Sequence, residues 1–238
     1  MFHDLNPVKN RLTELNCPEL MVKTGDTIFN ALSLVAILLP LVPFAIIFIR
    51  RVYHQPLLNF LRLLCFFTFL QHLAIALPNF TQSAAPFITA AFRLGEFALV
   101  FYLLKLTIAS SRVRYVMTLF LVSYMSVVIT TKVLVGINVY PNSLALIQAF
   151  ILLTMIGFVL LQLVRNKQIV LFESPVFWIA AGTLCYFGMY IFMELITARP
   201  LGISAETEQD KNMVLSVVDI TRFIFYTIAA YVADKRVS

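Results

Sequence analysis

Four ionisable residues stand in stretches that are otherwise apolar. Arg93 and Glu96 lie three residues apart, and Asp219 and Arg222 repeat the spacing with the signs reversed. A charged side chain near the centre of a bilayer costs about 2.5–3.5 kcal/mol on insertion scales, so such residues face a bundle interior, pair with one another or line a functional pathway. The chemistry open to them is ion pairing, proton exchange and the binding of a small polar solute. Covalent chemistry has little support. There is no G-x-S-x-G, and the base for a serine nucleophile would have to be His72, the one histidine inside an apolar run. There is no glycine loop for phosphate, and His3, His54 and His72 are too few and too scattered for a catalytic metal centre. The chain therefore reads as a non-enzyme, with no catalytic residue, no metal site and no cofactor expected.

These residues are positioned by long apolar elements. The 238 residues are 61% hydrophobic and 13% charged, with mean hydropathy +0.89, which excludes an ordinary water-soluble domain. The net charge of +6 does not point to nucleic acid, because the basic residues are spread in twos between apolar runs. Cys17, Cys65 and Cys185 are far apart, which argues against a disulfide framework. Seven apolar runs predict seven helices: Thr27–Ile49, Pro56–Ala76, Phe87–Ala109, Tyr115–Val135, Ser143–Val164, Pro175–Ile196 and Met213–Val232. Each is long enough to cross about 30 Å of hydrocarbon at 1.5 Å per residue. The expected architecture is an all-α integral membrane bundle over 27–232, with an extracytoplasmic segment at 1–26 and a cytoplasmic tail at 233–238. Residues 1–26 lack an apolar run of signal-peptide length, so the first span is expected to direct insertion.

Basic residues concentrate on cytoplasmic loops. Arg50 and Arg51, Arg112 and Arg114, Arg165 and Lys167, and Lys235 and Arg236 follow every second helix. The alternate connections are uncharged or carry an acidic excess. This alternation places the N-terminus outside and the C-terminus inside. Pro56 and Pro175 stand at helix starts, with Ser174 as a cap, whereas Pro40 and Pro43 fall inside the first helix and predict a kink.

With that orientation, Arg93 and Asp219 are both about 9 Å below the outer boundary, and Glu96 and Arg222 both about 14 Å below it. Two cross-helix pairs, Arg93 with Asp219 and Glu96 with Arg222, become available, alongside pairing within each helix. The reading that requires least is a clamp fixing the register of two helices. His72, Lys132 and Glu194 also fall in the outer half of their spans, with Tyr190 one turn below Glu194 and Tyr226 one turn below Arg222. Arg62 and Lys105 lie nearer the cytoplasmic side, where their stems can snorkel. The asymmetry predicts an outward polar cavity, floored by the four charges. Its ligand-binding or switch set is Arg93, Glu96, Asp219, Arg222, His72, Glu194, Tyr190, Tyr226 and Lys132.

The seven-helix layout invites comparison with retinal proteins, which carry a Schiff-base lysine in the last helix four residues after an aspartate. Here that position is Phe223. The start of the sixth helix reads Glu173-Ser174-Pro175-Val176-Phe177-Trp178-Ile179, followed by Gly182, Leu184, Tyr186 and Phe187. It resembles a pattern in uncharacterised bacterial seven-helix membrane proteins, for some of which sensory roles have been suggested. The resemblance implies a multi-pass protein of the bacterial plasma membrane and transfers no catalytic residue. The expected function is a non-enzymatic, receptor-like sensory module that binds a small polar ligand, or a proton, from outside. Its partners would be the lipid bilayer and a separate signalling protein. A small-solute or proton-coupled transporter, and a structural membrane subunit, are the alternatives.

Overall fold

The computed structural model describes residues 31–76, 85–135, 142–166, 170–197 and 205–234. The segment at 1–26, the start of the first predicted span and the tail residues Lys235 and Arg236 lie outside them. The described residues form helices and short connections, with no strand among them. The helices are α1 (Ala31–Ile49), α2 (Pro56–Ala76), α3 (Ala85–Leu106), α4 (Ser111–Val135), α5 (Asn142–Arg165), α6 (Pro175–Thr197) and α7 (Ala205–Asp234). Short 3-10 turns at Val52–His54 and Leu171–Glu173 precede α2 and α6.

All of these helices except α3 carry a stretch long and apolar enough to cross a membrane, six in all among the described residues. The chain is therefore a multi-pass membrane protein. The large apolar side chains left exposed, such as Leu119, Phe120 and Val122 on α4 or Phe150 and Leu161 on α5, face outward as lipid contact requires.

Several predicted boundaries shift. The last helix begins at Ala205 rather than Met213, because the polar stretch at 205–212 continues the helical hydrogen bonding beyond the apolar run. The third ends at Leu106, three residues short of Ala109. The fourth begins at Ser111 rather than Tyr115, the Arg114 N–H reaching the Ser110 carbonyl. The kink in α1 is a break: Leu39 and Pro40 form a turn, and Pro40 is the N-cap of the second piece, Leu41–Ile49. Proline has no N–H to give to the carbonyl four residues back, so the helical ladder loses the bond that would have ended on Ala36.

Packing runs round a ring in which α1 touches α2, α2 touches α3, α3 touches α5, α5 touches α6, α6 touches α7, and α7 returns to α1. Helix α4 stands outside the ring against α3. The contact between α6 and α7 is the most extensive. Gly182 permits it, because a Cβ there would meet Phe225 Cβ at 3.0 Å and the Arg222 carbonyl oxygen at 3.1 Å. The middle of the ring is apolar, filled by residues such as Leu61, Phe101, Leu104, Leu152, Ile156 and Ala180. The polar groups gather above and below this belt.

Candidate functional site: a buried charge relay between two cavities

Helix α7 presents Asp219, Arg222 and Tyr226 at spacings of three and four, so one face carries all three inward. Arg222 is 1% exposed and is the hub. Its Nη1 donates to Glu96 Oε1 on α3 at 2.5 Å, and its Nη2 lies 2.7 Å from Asp219 Oδ1 one turn back. The second contact is an ion pair without hydrogen-bond alignment, and Arg222 Nε is buried with no partner. The guanidinium also lies over the Tyr186 ring of α6 at 4.0 Å, a cation–π contact of the kind that strengthens when desolvated.

The relay continues beyond Asp219. Its Oδ2 lies 3.5 Å from His72 Nε2 on α2, and His72 Nδ1 lies 3.2 Å from the Ala36 carbonyl oxygen on α1. That carbonyl is the one left without a helical donor by Pro40. One connected polar path, Glu96 to Arg222 to Asp219 to His72 to Ala36, thus joins four helices across the interior. One turn farther along α7, the Tyr226 hydroxyl bonds Thr183 Oγ1 at 2.9 Å, and Thr183 donates to the Ile179 carbonyl at 2.7 Å.

Two cavities flank this relay at the same end of the bundle. One, about 130 Å³, is lined by Gln71, Arg93, Glu96, Gln148, Tyr186 and Tyr190 among others. The second, about 430 Å³, is lined by Ser33, Ala36, His72, Asn212, Ser216 and Asp219 among others. Tyr186 and Leu215 line both and form the wall between them. Glu96 therefore faces the first cavity and Asp219 the second, with Arg222 holding both carboxylates.

Of the two cross-helix pairs read from the sequence, Glu96 with Arg222 forms. The pair of Arg93 with Asp219 does not. Helices α3 and α7 are not packed side by side, and the place opposite Asp219 is taken by His72. Among the described residues no carboxylate lies within ion-pair distance of Arg93, which lines the smaller cavity instead. Glu194, 6% exposed, receives Lys211 Nζ at 2.6 Å and ties α6 to the extended start of α7, outside the relay. Tyr190 lines the cavity with Arg93. The side chain of Lys132 lies outside the described residues.

The sequence reading passed over Tyr186, Thr183 and Gln148 as site residues. A signal was present on α6, where Thr183, Tyr186, Tyr190 and Glu194 recur every three or four residues and mark one polar stripe. Gln148 is a single glutamine in an apolar run, and only the packing of α5 against α3 and α6 brings it to the cavity.

At the other end Arg62 Nη2 bonds Asn59 Oδ1 at 2.8 Å, and Lys105 lies over the Tyr102 ring. Trp178 Nε1 bonds the Phe172 carbonyl at 2.9 Å and packs edge-on against Phe177, closing the turn into α6. The chain matches no protein-family model, no curated protein and no solved structure. The fold and site define a class rather than a relative: a multi-pass helical membrane protein whose interior holds a relay of paired charges between two cavities.

Proposed function

We propose that the chain is a seven-span, receptor-like sensory module of a plasma membrane, with its N-terminus outside, its C-terminus cytoplasmic and no catalytic activity. The observation that carries this reading is the position of the Glu96–Arg222–Asp219–His72 relay. It forms the wall of two cavities at one end of the bundle, so that a solute or proton entering either cavity meets a group already bonded to another helix. Competition for Glu96 or Asp219 would release Arg222 and shift α7 against α2 and α3. Arg50, Arg51, Arg112, Arg114 and Arg165 lie at the opposite end, which the basic-loop rule assigns to the cytoplasm, where a separate partner would read the shift.

A transporter is the second reading, and one observation favours it. A further cavity of about 330 Å³ lies at the basic end, lined by Thr107, Gln162, Asn166 and Ser174 among others. Gln148 and Gln162 are about 21 Å apart along α5 at 1.5 Å per residue. Between them Leu152 and Ile156 are fully buried, with Phe101 and Leu104 against them in the same apolar core. The closed belt supports a one-sided pocket.

Cysteine accessibility tests the reading. In a cysteine-free background, a thiol at Ser216 should react with a membrane-impermeant reagent added outside intact cells, and a thiol at Asn166 should not. The reverse pattern would overturn the orientation. Flux of a solute through proteoliposomes would favour the carrier.

A further inference from the structure

The smaller cavity contains polar groups that the relay leaves unused. Gln71 and Gln148 are 9% and 6% exposed, and both line it. Gln71 Oε1 and Gln148 Nε2 are buried without a hydrogen-bond partner. One is an acceptor from α2 and the other a donor from α5. A buried polar atom left unpaired costs about 1–3 kcal/mol, and both of these belong to side chains that line one small cavity, which points to an occupant that the two amides turn to meet. Arg93 adds a guanidinium with no carboxylate beside it among the described residues, and its planar fork matches a carboxylate. Glu96 adds a carboxylate of which Arg222 occupies Oε1.

The walls thus offer donors and positive charge from Arg93 and Gln148, and acceptors and negative charge from Glu96 and Gln71. A simple anion would answer only the first set, and a simple amine only the second. Arg93 and Arg222 balance Glu96 and Asp219, so an occupant of zero net charge leaves the buried cluster neutral. Phe97, Ala145, Phe187 and Leu215 close the remainder with apolar surface. A volume of about 130 Å³ admits several waters or one solute of a few heavy atoms, and is well below the roughly 300–1,000 Å³ of a drug-sized site.

We propose that this cavity binds a small zwitterionic α-amino acid, its carboxylate held by Arg93 and Gln148 and its ammonium by Gln71 and Glu96. The inference rests on the sensory reading above and supplies the class of its ligand. Because the ammonium approaches Glu96, binding competes with Arg222 for that carboxylate. The first event of the sensory change is then the loosening of the Glu96–Arg222 bond.

The test uses the full chain in nanodiscs, with glycine, alanine, acetate, methylammonium and leucine as probes, read by calorimetric titration and by the shift in thermal midpoint. Glycine or alanine should saturate at least tenfold more tightly than acetate or methylammonium, and leucine should be excluded by size. Gln71→Met and Gln148→Met each remove an unpartnered atom. They should leave the unliganded midpoint unchanged or raised while weakening glycine or alanine at least tenfold. Arg93→Met should do the same to the ligand. The proposal is overturned if no probe saturates, which leaves water as the occupant. It is equally overturned if acetate or methylammonium binds as tightly as glycine, or if the three variants bind like the parent. Failure here leaves the cysteine-accessibility result standing, whereas reversed accessibility overturns the orientation without touching binding measured in nanodiscs.

Discussion

His72 Nδ1 lies 3.2 Å from the carbonyl oxygen of Ala36, the acceptor that Pro40 leaves unpaired in α1. A carbonyl can only accept, so Nδ1 carries the hydrogen in this contact. Nε2 then faces Asp219 Oδ2 at 3.5 Å. A break in one helix therefore orients a histidine on the next and turns its Nε2 toward the Asp219 carboxylate beside the 430 Å³ cavity. The other charged groups around this couple are Arg222 on α7 and Glu96 on α3, with the Tyr186 phenol of α6 lining both cavities.

His72→Phe should lower stability by about 1–3 kcal/mol, since it strands the Ala36 carbonyl and one side of Asp219. Adding Pro40→Ala returns an N–H to Ala36 and should recover part of that loss. Thermal unfolding of the single and double variants in one detergent measures the coupling. Equal midpoints for His72→Phe and the parent would show that the relay ends at Asp219.

Arg222→Met should be the most damaging change at the site, at about 3–5 kcal/mol, because it leaves the buried Glu96 and Asp219 carboxylates without their shared cation. Adding Glu96→Gln and Asp219→Asn should restore most of the loss. Arg93→Met should cost less than about 1 kcal/mol, since it breaks no ion pair among the described residues. If both arginine variants unfold at the same temperature, the four charges act as a symmetrical clamp and the hub assignment is wrong.

Gly182→Ala should separate α6 from α7 beside the hub. Its Cβ meets backbone and a ring root that cannot swing away, so a cost of about 1–3 kcal/mol follows from overpacking. Gly157→Ala is the control. A Cβ at Gly157 has nothing within 4 Å, and the helix propensity of alanine should make the change neutral or stabilising by up to about 1 kcal/mol. Midpoints that move together would remove the packing explanation.

Lys211→Met should cost about 1–2 kcal/mol by leaving the buried Glu194 carboxylate without its 2.6 Å partner. Hydrogen exchange should rise in 205–212 and stay unchanged near Arg222. Equal exchange in variant and parent would place the anchoring of this first part of α7 elsewhere.

The helical class, six of the spans and the level of Glu96 with Arg222 were legible in the linear chain. Pro56–Ala76 agrees with the expected second span to the residue, and Glu96 does stand level with Arg222. The ends of α7 were not legible, because 205–212 is polar and helical at once, held at α6 by Lys211. Nor were the partners. Arg93 was level with Asp219 yet does not reach it, while His72, two helices away in the ring, does.

Hydropathy and charge are properties of neighbours along the chain, and rise per residue turns them into depth. Those quantities alone determined that this is a multi-pass helical protein with its buried charges at one end. Which charges meet depends on the rotation of each helix about its axis and on which helices stand adjacent. Only the tertiary structure decided that, through contacts such as Gly182 against Phe225, the Pro40 break that turns Ala36 toward His72, and the ring order that puts α2 between α1 and α3.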